Sequence, residues 1–359
     1  MNFEEFINTV KDTIKDYLPE NYRDAEVNIL ENRKLNTNYT GLTVTREGDT
    51  LVPTINLNNL FESYSEYPEH SLAEFMQEIA EVIQHTPETF DIGQIMDYDR
   101  VKKNIFMRLS AAEKNTDVLE HAPHIRKEDL AITFHIMLDQ SDKGTATTMI
   151  NDNMMEAYGI DLDQLYQDAL SNSPIICPVH IESICDALEP LGRTMIEEMK
   201  NAGAPTELIQ DMEKRLEEEY RNNPMTVVTN DLLVDGASAL FYPGVMDLVG
   251  ERMQGDYFIL PSSVHETLVV PDDGKVSLQE LTDMVKEVNM TQVNPEDQLT
   301  DQVYHYDTAD HVFEKAETFA ERKLAKETEM RGKDHSVEKD TRKQVRMEKP
   351  KHKSTEMAL

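Results

Sequence analysis

Between residues 223 and 273 the chain reads NPMTVVTNDLLVDGASALFYPGVMDLVGERMQGDYFILPSSVHETLVVPDD, and no other stretch restricts the fold as tightly. Its apolar runs are short, rich in β-branched or aromatic residues, and bounded by Asn, Asp, Gly and Pro, which is the pattern of buried strands. Residues 225–229 predict one strand, and 257–260 with 267–270 predict a hairpin. Between them, Pro243 is suited to a first helical turn, where a missing N–H costs nothing, so the spacing predicts a helix over 243–253. A chain that places such strands beside amphipathic helices has to bury a sheet face under them.

The remaining periodicities extend this picture. Phe3, Phe6, Ile7, Val10, Ile14 and Tyr17 recur at helical spacing and predict an opening helix closed by Pro19. Residues 26–30, 40–45 and 50–55 are short, β-branched and separated by Asn-rich or Gly-Asp turns, which predicts a three-stranded antiparallel meander. Leu72, Phe75, Met76, Ile79, Val82 and Ile83 mark a second helix over that sheet. A further helix-and-hairpin set is expected within 105–151, with strands at 130–138 and 145–150. Asp161 and Gln164 have capping-box spacing for a helix through Leu170. Residues 192–223 turn to Glu, Lys, Met and Ala, broken by Gly203 and Pro205, and predict two charged helices outside the core. A helix at 278–288 is expected to close the fold. Strands that follow one another without regular crossovers favour an α+β fold, with antiparallel sheets and hairpins covered by amphipathic helices. The expected body is 1–312, as one unit or as two lobes, 1–110 and 111–312. Residues 313–359 are expected to form a charged tail, partly helical and then disordered.

Charge narrows the function classes. The 359 residues carry 69 acidic and 35 basic side chains, a formal net charge of −34. Such a body repels nucleic-acid backbones, so direct nucleic-acid binding by the body is not expected. Residues 321–359 run the other way, with 12 Lys and Arg against 8 Asp and Glu. This tail is expected to stay mobile and to associate with the acidic body at low salt. No apolar run is long enough for a membrane span, and the N-terminus lacks the basic start and apolar core of a signal peptide. With only Cys177 and Cys185 present, a disulfide framework is excluded and a cytoplasmic location is expected.

Candidate chemistry is confined to three places. Asp273 to Leu281 reads DGKVSLQEL and matches the second half of a calcium-binding EF-hand loop. Its first and third ligand positions, however, fall on Val269 and Pro271, which have no side-chain oxygen. Ser277 and Glu280 fit a helix-capping box without calcium. PSSVHE brings Ser262, Ser263, His265 and Glu266 together, the inventory of nucleophilic catalysis, although a hairpin loop with satisfied polar groups explains it equally. Neither a G-x-S-x-G elbow nor a zinc-protease H-E-x-x-H is present. Cys177, His180 and Cys185 offer three soft ligands as C-x2-H-x4-C, one short of a zinc site, with His121 and His124 as outside donors and buried inert cysteines as the plain reading. No phosphate-binding glycine loop occurs, and no cofactor is expected. The nineteen methionines fall mostly on the apolar stripes of predicted helices, where core packing accounts for them.

Residues TNDLLVDGASALFYPGVM, DYFILPSSVHE and VKEVNMTQVNPEDQLTDQVYHYD carry a resemblance to the bacterial family known as domain of unknown function 5688, extending over roughly residues 1–307. The resemblance implies a compact intracellular bacterial domain and brings no site residues with it. On these grounds the expected function is that of a non-enzymatic cytoplasmic binding or regulatory protein. Its partner would be an unidentified protein, a cationic one among the candidates. The alternative is a hydrolase using Ser262 or Ser263 with His265 and an acid such as Glu266 or Asp272, with Asn230 as the first polar neighbour to examine.

Overall fold

A computed structural model of the chain describes residues 1–49, 52–66, 71–85, 92–141, 144–261 and 263–326. Ser262 and the basic segment 327–359 lie outside the described residues. The fold is α+β, with three antiparallel sheets.

The first sheet pairs β1 (Glu26–Lys34), β2 (Thr37–Thr45) and the two-residue β3 (Ile55–Asn56) in that order. Helices Phe3–Thr13, Leu57–Glu66 and Leu72–His85 accompany it, and Phe6, Val10, Ile14, Leu42, Leu57, Met76 and Ile79 form the core beneath. The first helix starts at a capping box between Asn2 and Glu5. The β1–β2 turn is only Leu35 and Asn36, with Asn36 in the left-handed region at φ 65°. Asn tolerates that conformation, which matches the twist of a tight hairpin. Leu57–Glu66 is a helix that the sequence pattern did not announce.

The second sheet is built on the long β6 (Leu130–Ser141). β4 (Ile105–Ala111) runs along one edge, and β5 (His124–Lys127) and β7 (Gly144–Met149) share the other. Alternation gives its faces different characters. Ile105, Met107, Leu109, Ile132, Phe134 and Ile136 enter the main core against helix Leu162–Ile176. The opposite face carries Phe106, Arg108, Ser110, Thr133 and His135, paired across strands as Phe106 with His135 and Arg108 with Thr133.

The third sheet has six strands in the order β13-β12-β10-β11-β9-β8, formed by β8 (Val179–Ser183), β9 (Thr226–Asn230), β10 (Tyr257–Leu260), β11 (Thr267–Pro271), β12 (Tyr304–Asp307) and β13 (Val312–Lys315). Again the period of two sorts the side chains. Tyr257, Ile259, Val228 and Val269 join the main core, while Phe258, Leu260 and Val270 pack with Leu281 and Val285 of helix Leu278–Thr291. The helix expected to end the fold is therefore followed by two more strands, and a helix over residues 316–326 continues beyond them. The charged region forms two helices, Ile184–Asn201 and Thr206–Asn222, linked through Gly203 at φ 72°. No helix among the described residues is long and apolar enough to cross a membrane.

Candidate functional site

The polar face of the second sheet forms one wall of an open cavity of about 370 Å³, bordered by the β1–β2 hairpin tip and by loops of the third sheet. Arg108, Ser110, His135, Thr147 and Met149 come from the second sheet, and Arg33, Leu35, Asn36 and Thr37 from the hairpin tip. Asp235, Val264, His265, Glu296 and Asp297 come from the loops. Three separate parts of the fold thus have to be assembled before the cavity exists.

The loops are held by backbone contacts that depend on a few residues. Asn230 closes the turn after β9, its side chain accepting from the Leu232 N–H at 3.0 Å and donating to the Val234 carbonyl at 2.9 Å. Leu233 and Asp235 take the left-handed conformation at φ 55° and 52°, which non-glycine residues adopt only when the surroundings hold them there. Gly236 then passes so close to β9 that an added Cβ would lie 2.2 Å from Thr229 Oγ1 and 2.6 Å from the His265 carbonyl oxygen. The Pro261 loop is pinned on the other side. Ala237 N–H donates to the Val264 carbonyl at 3.0 Å, Val264 N–H to that of Asp297 at 2.8 Å, and Thr229 Oγ1 to that of His265 at 2.7 Å.

This scaffold fixes the ionisable groups. Arg108 Nη2 lies 2.9 Å from Asp235 Oδ2, and the guanidinium stands 5.5 Å from the centre of the Phe106 ring. Asp235 N–H donates to His265 Nδ1 at 3.1 Å, so that nitrogen carries no proton, and Nε2 lies 3.3 Å from Asp297 Oδ1. His135 is buried with Nε2 3.0 Å from Thr133 Oγ1. Burial, reinforced by the Arg108 charge, pushes its imidazole well below the ordinary 6.5, so it is neutral. The hairpin tip is tied in by Asn115, whose Nδ2 donates to Asn36 Oδ1 and to the Ala111 carbonyl, both at 2.6 Å. Arg33 is ion-paired with Asp117.

Of the residues expected to carry chemistry, His265 reaches the cavity and Ser263 stays behind it. Ser263 is buried, and its Oγ accepts from the His265 backbone N–H at 3.0 Å instead of engaging the ring. Ser262 lies outside the described residues. Glu266 accepts the Ser263 N–H with its carbonyl at 3.4 Å. Asp272 belongs elsewhere, 3.2 Å from Nε2 of the buried His305. Asn230 shapes its own turn, and the polar contact to the loop comes from Thr229, one residue earlier.

The soft-ligand set is likewise dispersed into structural roles. Cys177 caps helix Leu162–Ile176 as a buried free thiol, and burial pushes it up to about 11, the opposite of a reactive cysteine. His180 on β8 lies 3.2 Å from Glu182 and 3.5 Å from Asp231, and Cys185 sits in the first turn of helix Ile184–Asn201. Among the described residues no three His, Cys, Asp or Glu side chains are grouped to hold a metal ion. The EF-hand lookalike is a helix start, since Ser277 and Glu280 form a reciprocal capping box.

Comparison with known proteins decides affiliation. Residues 3–308 match the family of unknown function DUF5688. The chain belongs to that family. No curated protein and no solved structure matches it. The DUF5688 match takes in every cavity-lining residue and ends just after β12, so β13 and the helix at 316–326 lie beyond it.

Proposed function

We propose that this DUF5688 chain is a non-enzymatic binding protein of the bacterial cytoplasm, and that the cavity between the β1–β2 tip, the second sheet and the β9–β11 loops receives a small polar ligand. The observation that carries this reading is the state of His265. Nδ1 accepts the Asp235 backbone N–H and Nε2 stands 3.3 Å from Asp297 Oδ1, an arrangement that ties the ring to the surrounding loops and supports a structural role over that of a base. The cavity volume falls within the usual span of small-molecule sites. That neither Cys177 nor Cys185 is in a disulfide agrees with a reducing compartment. A cationic protein partner on the acidic surface fits the same reading, supported by the net charge of −34. The test is a ligand-observed NMR screen of a metabolite library against the wild-type chain and a Thr147→Trp variant, in which an indole fills the cavity. Binders that lose their signal with the variant support the reading, while a library without binders, or binders indifferent to the variant, argues against it.

A hydrolase remains the second reading, because the PSSVHE loop does line the cavity and His265 is paired with Asp297 there. In this reading Ser262 is the nucleophile and the imidazole has to leave the Asp235 N–H to act as base. Labelling of Ser262 by a fluorophosphonate probe, located by peptide mass spectrometry and abolished by His265→Gln, is the result that would favour it.

A further inference from the structure

We infer that the cavity is built for a zwitterion, an α-amino acid or short peptide, with its carboxylate on the Arg108–His135 wall and its ammonium on the Glu296–Asp297 wall. The inference rests on the binding reading above and names its ligand class.

One buried donor without an acceptor points to the anionic end. Arg108 has five N–H donors, and its Nη2 is ion-paired with Asp235 at 2.9 Å. Its Nε is buried and has no hydrogen-bond partner. A buried guanidinium N–H without an acceptor is costly, so a site that keeps one is arranged for an acceptor that arrives from outside. His135 stands on the same sheet face, buried and lining the cavity, with Nε2 3.0 Å from Thr133 Oγ1. A planar carboxylate meets a guanidinium edge well.

The cavity as a whole does not suit a simple anion. Asp235, Glu296 and Asp297 line it against the two guanidinium groups of Arg33 and Arg108, so its carboxylates outnumber its guanidinium groups. A free anion would meet repulsion from the loop wall, and a cation alone would leave Arg108 Nε unanswered. Only a ligand with both charges, a few bonds apart, satisfies both walls within about 370 Å³.

Isothermal titration calorimetry on the full chain tests this with the common α-amino acids and a set of dipeptides, each beside its N-acetyl and C-amide derivatives, and with acetate and inorganic phosphate as simple anions. The expected result is saturable binding of at least one zwitterion, weakened about tenfold or more by either cap. Arg108→Met should erase the difference between acid and amide, and Asp297→Asn that between amine and acetyl. Discrimination by the wild-type chain needs neither variant to fold. Equal binding of capped and uncapped forms, or binding of acetate or phosphate as tight as that of any zwitterion, overturns the inference while leaving the cavity reading intact. Absence of binding by the whole panel also overturns it, and the Thr147→Trp library screen then decides the cavity reading separately.

Discussion

At Gly236 a single methyl group is enough to disturb the site. An added Cβ would press on Thr229 Oγ1, the His265 carbonyl and, at 2.7 Å, the Asn230 backbone nitrogen; two of these are backbone atoms that cannot swing aside. Gly236→Ala should therefore destabilise the fold by about 1–3 kcal/mol, the range for overpacking a tight interior, read as a lower urea midpoint with an unchanged m-value. His135 predicts a pH effect. Its folded imidazole titrates below the ordinary 6.5, so under acid conditions the unfolded chain binds the proton first. Stability is complete above 6.5 and is lost as pH falls through the window below it. His305 acts in the same direction, because burial outweighs the opposing pull of Asp272. Urea melts from pH 7.5 to 5 should show the wild type weakening, and His135→Gln should flatten that slope without abolishing it. The PSSVHE loop was legible as a place for chemistry because its residue types are unusual together. Arg108, His135, Asp235 and Asp297 were not, because each is ordinary in its own segment. They meet only through strand register and a left-handed turn, neither of which leaves a local pattern.

The elements that periodicity revealed are those whose faces sort cleanly. The hairpin of β10 and β11 shows short apolar runs and the helix Leu72–His85 an apolar stripe at helical spacing, while the paired helices Ile184–Asn201 and Thr206–Asn222 were marked by a shift in composition over residues 192–223. Two of the elements that were missed, β12 and β13, bury polar residues. β12 reads YHYD and β13 reads VFEK, and a strand with His305, Asp307 and Glu314 inside it looks like a loop until its partners are known. Those partners come from the helix at 316–326. Arg322 reaches Asp307 at 2.8 Å, Asp310 at 2.8 Å and Glu314 at 2.6 Å, and Phe319 stacks on His305 at 3.5 Å between ring centres. Burial alone would raise the Asp307 carboxyl, but the Asp310 and Ala309 N–H groups and Arg322 together hold it below its usual range. Arg322→Met leaves two well-buried carboxylates without their cation. The expected loss is about 1–3 kcal/mol, less than for a fully enclosed pair because the guanidinium is partly exposed. Thermal melts of the variant at pH 7 check this.

On the scale of the molecule, the described residues form two large apolar cores whose residues do not interleave in sequence. One runs from Phe6 to Ile83, and the other begins at Val101. The α+β class was legible because it depends only on the kinds of element present. The way the cores meet was not, because the β1–β2 tip joins the second sheet through polar contacts, Asn36 with Asn115 and Arg33 with Asp117. Asn115→Ala removes the buried half of that junction. Differential scanning calorimetry should then resolve two transitions where the wild type shows closer coupling, and a single unchanged peak would mean that the cores are coupled by other contacts. The β12–β13 pairing bears on how the protein can be handled. A chain cut at residue 308, where family similarity ends, would lose β13 and leave the outer row of β12 amides and carbonyls open along Tyr304 to Asp307. An open row of that kind is a template for another strand, so the shortened protein should self-associate edge to edge more readily than one ending at residue 326, in which β12 stays paired with the short β13.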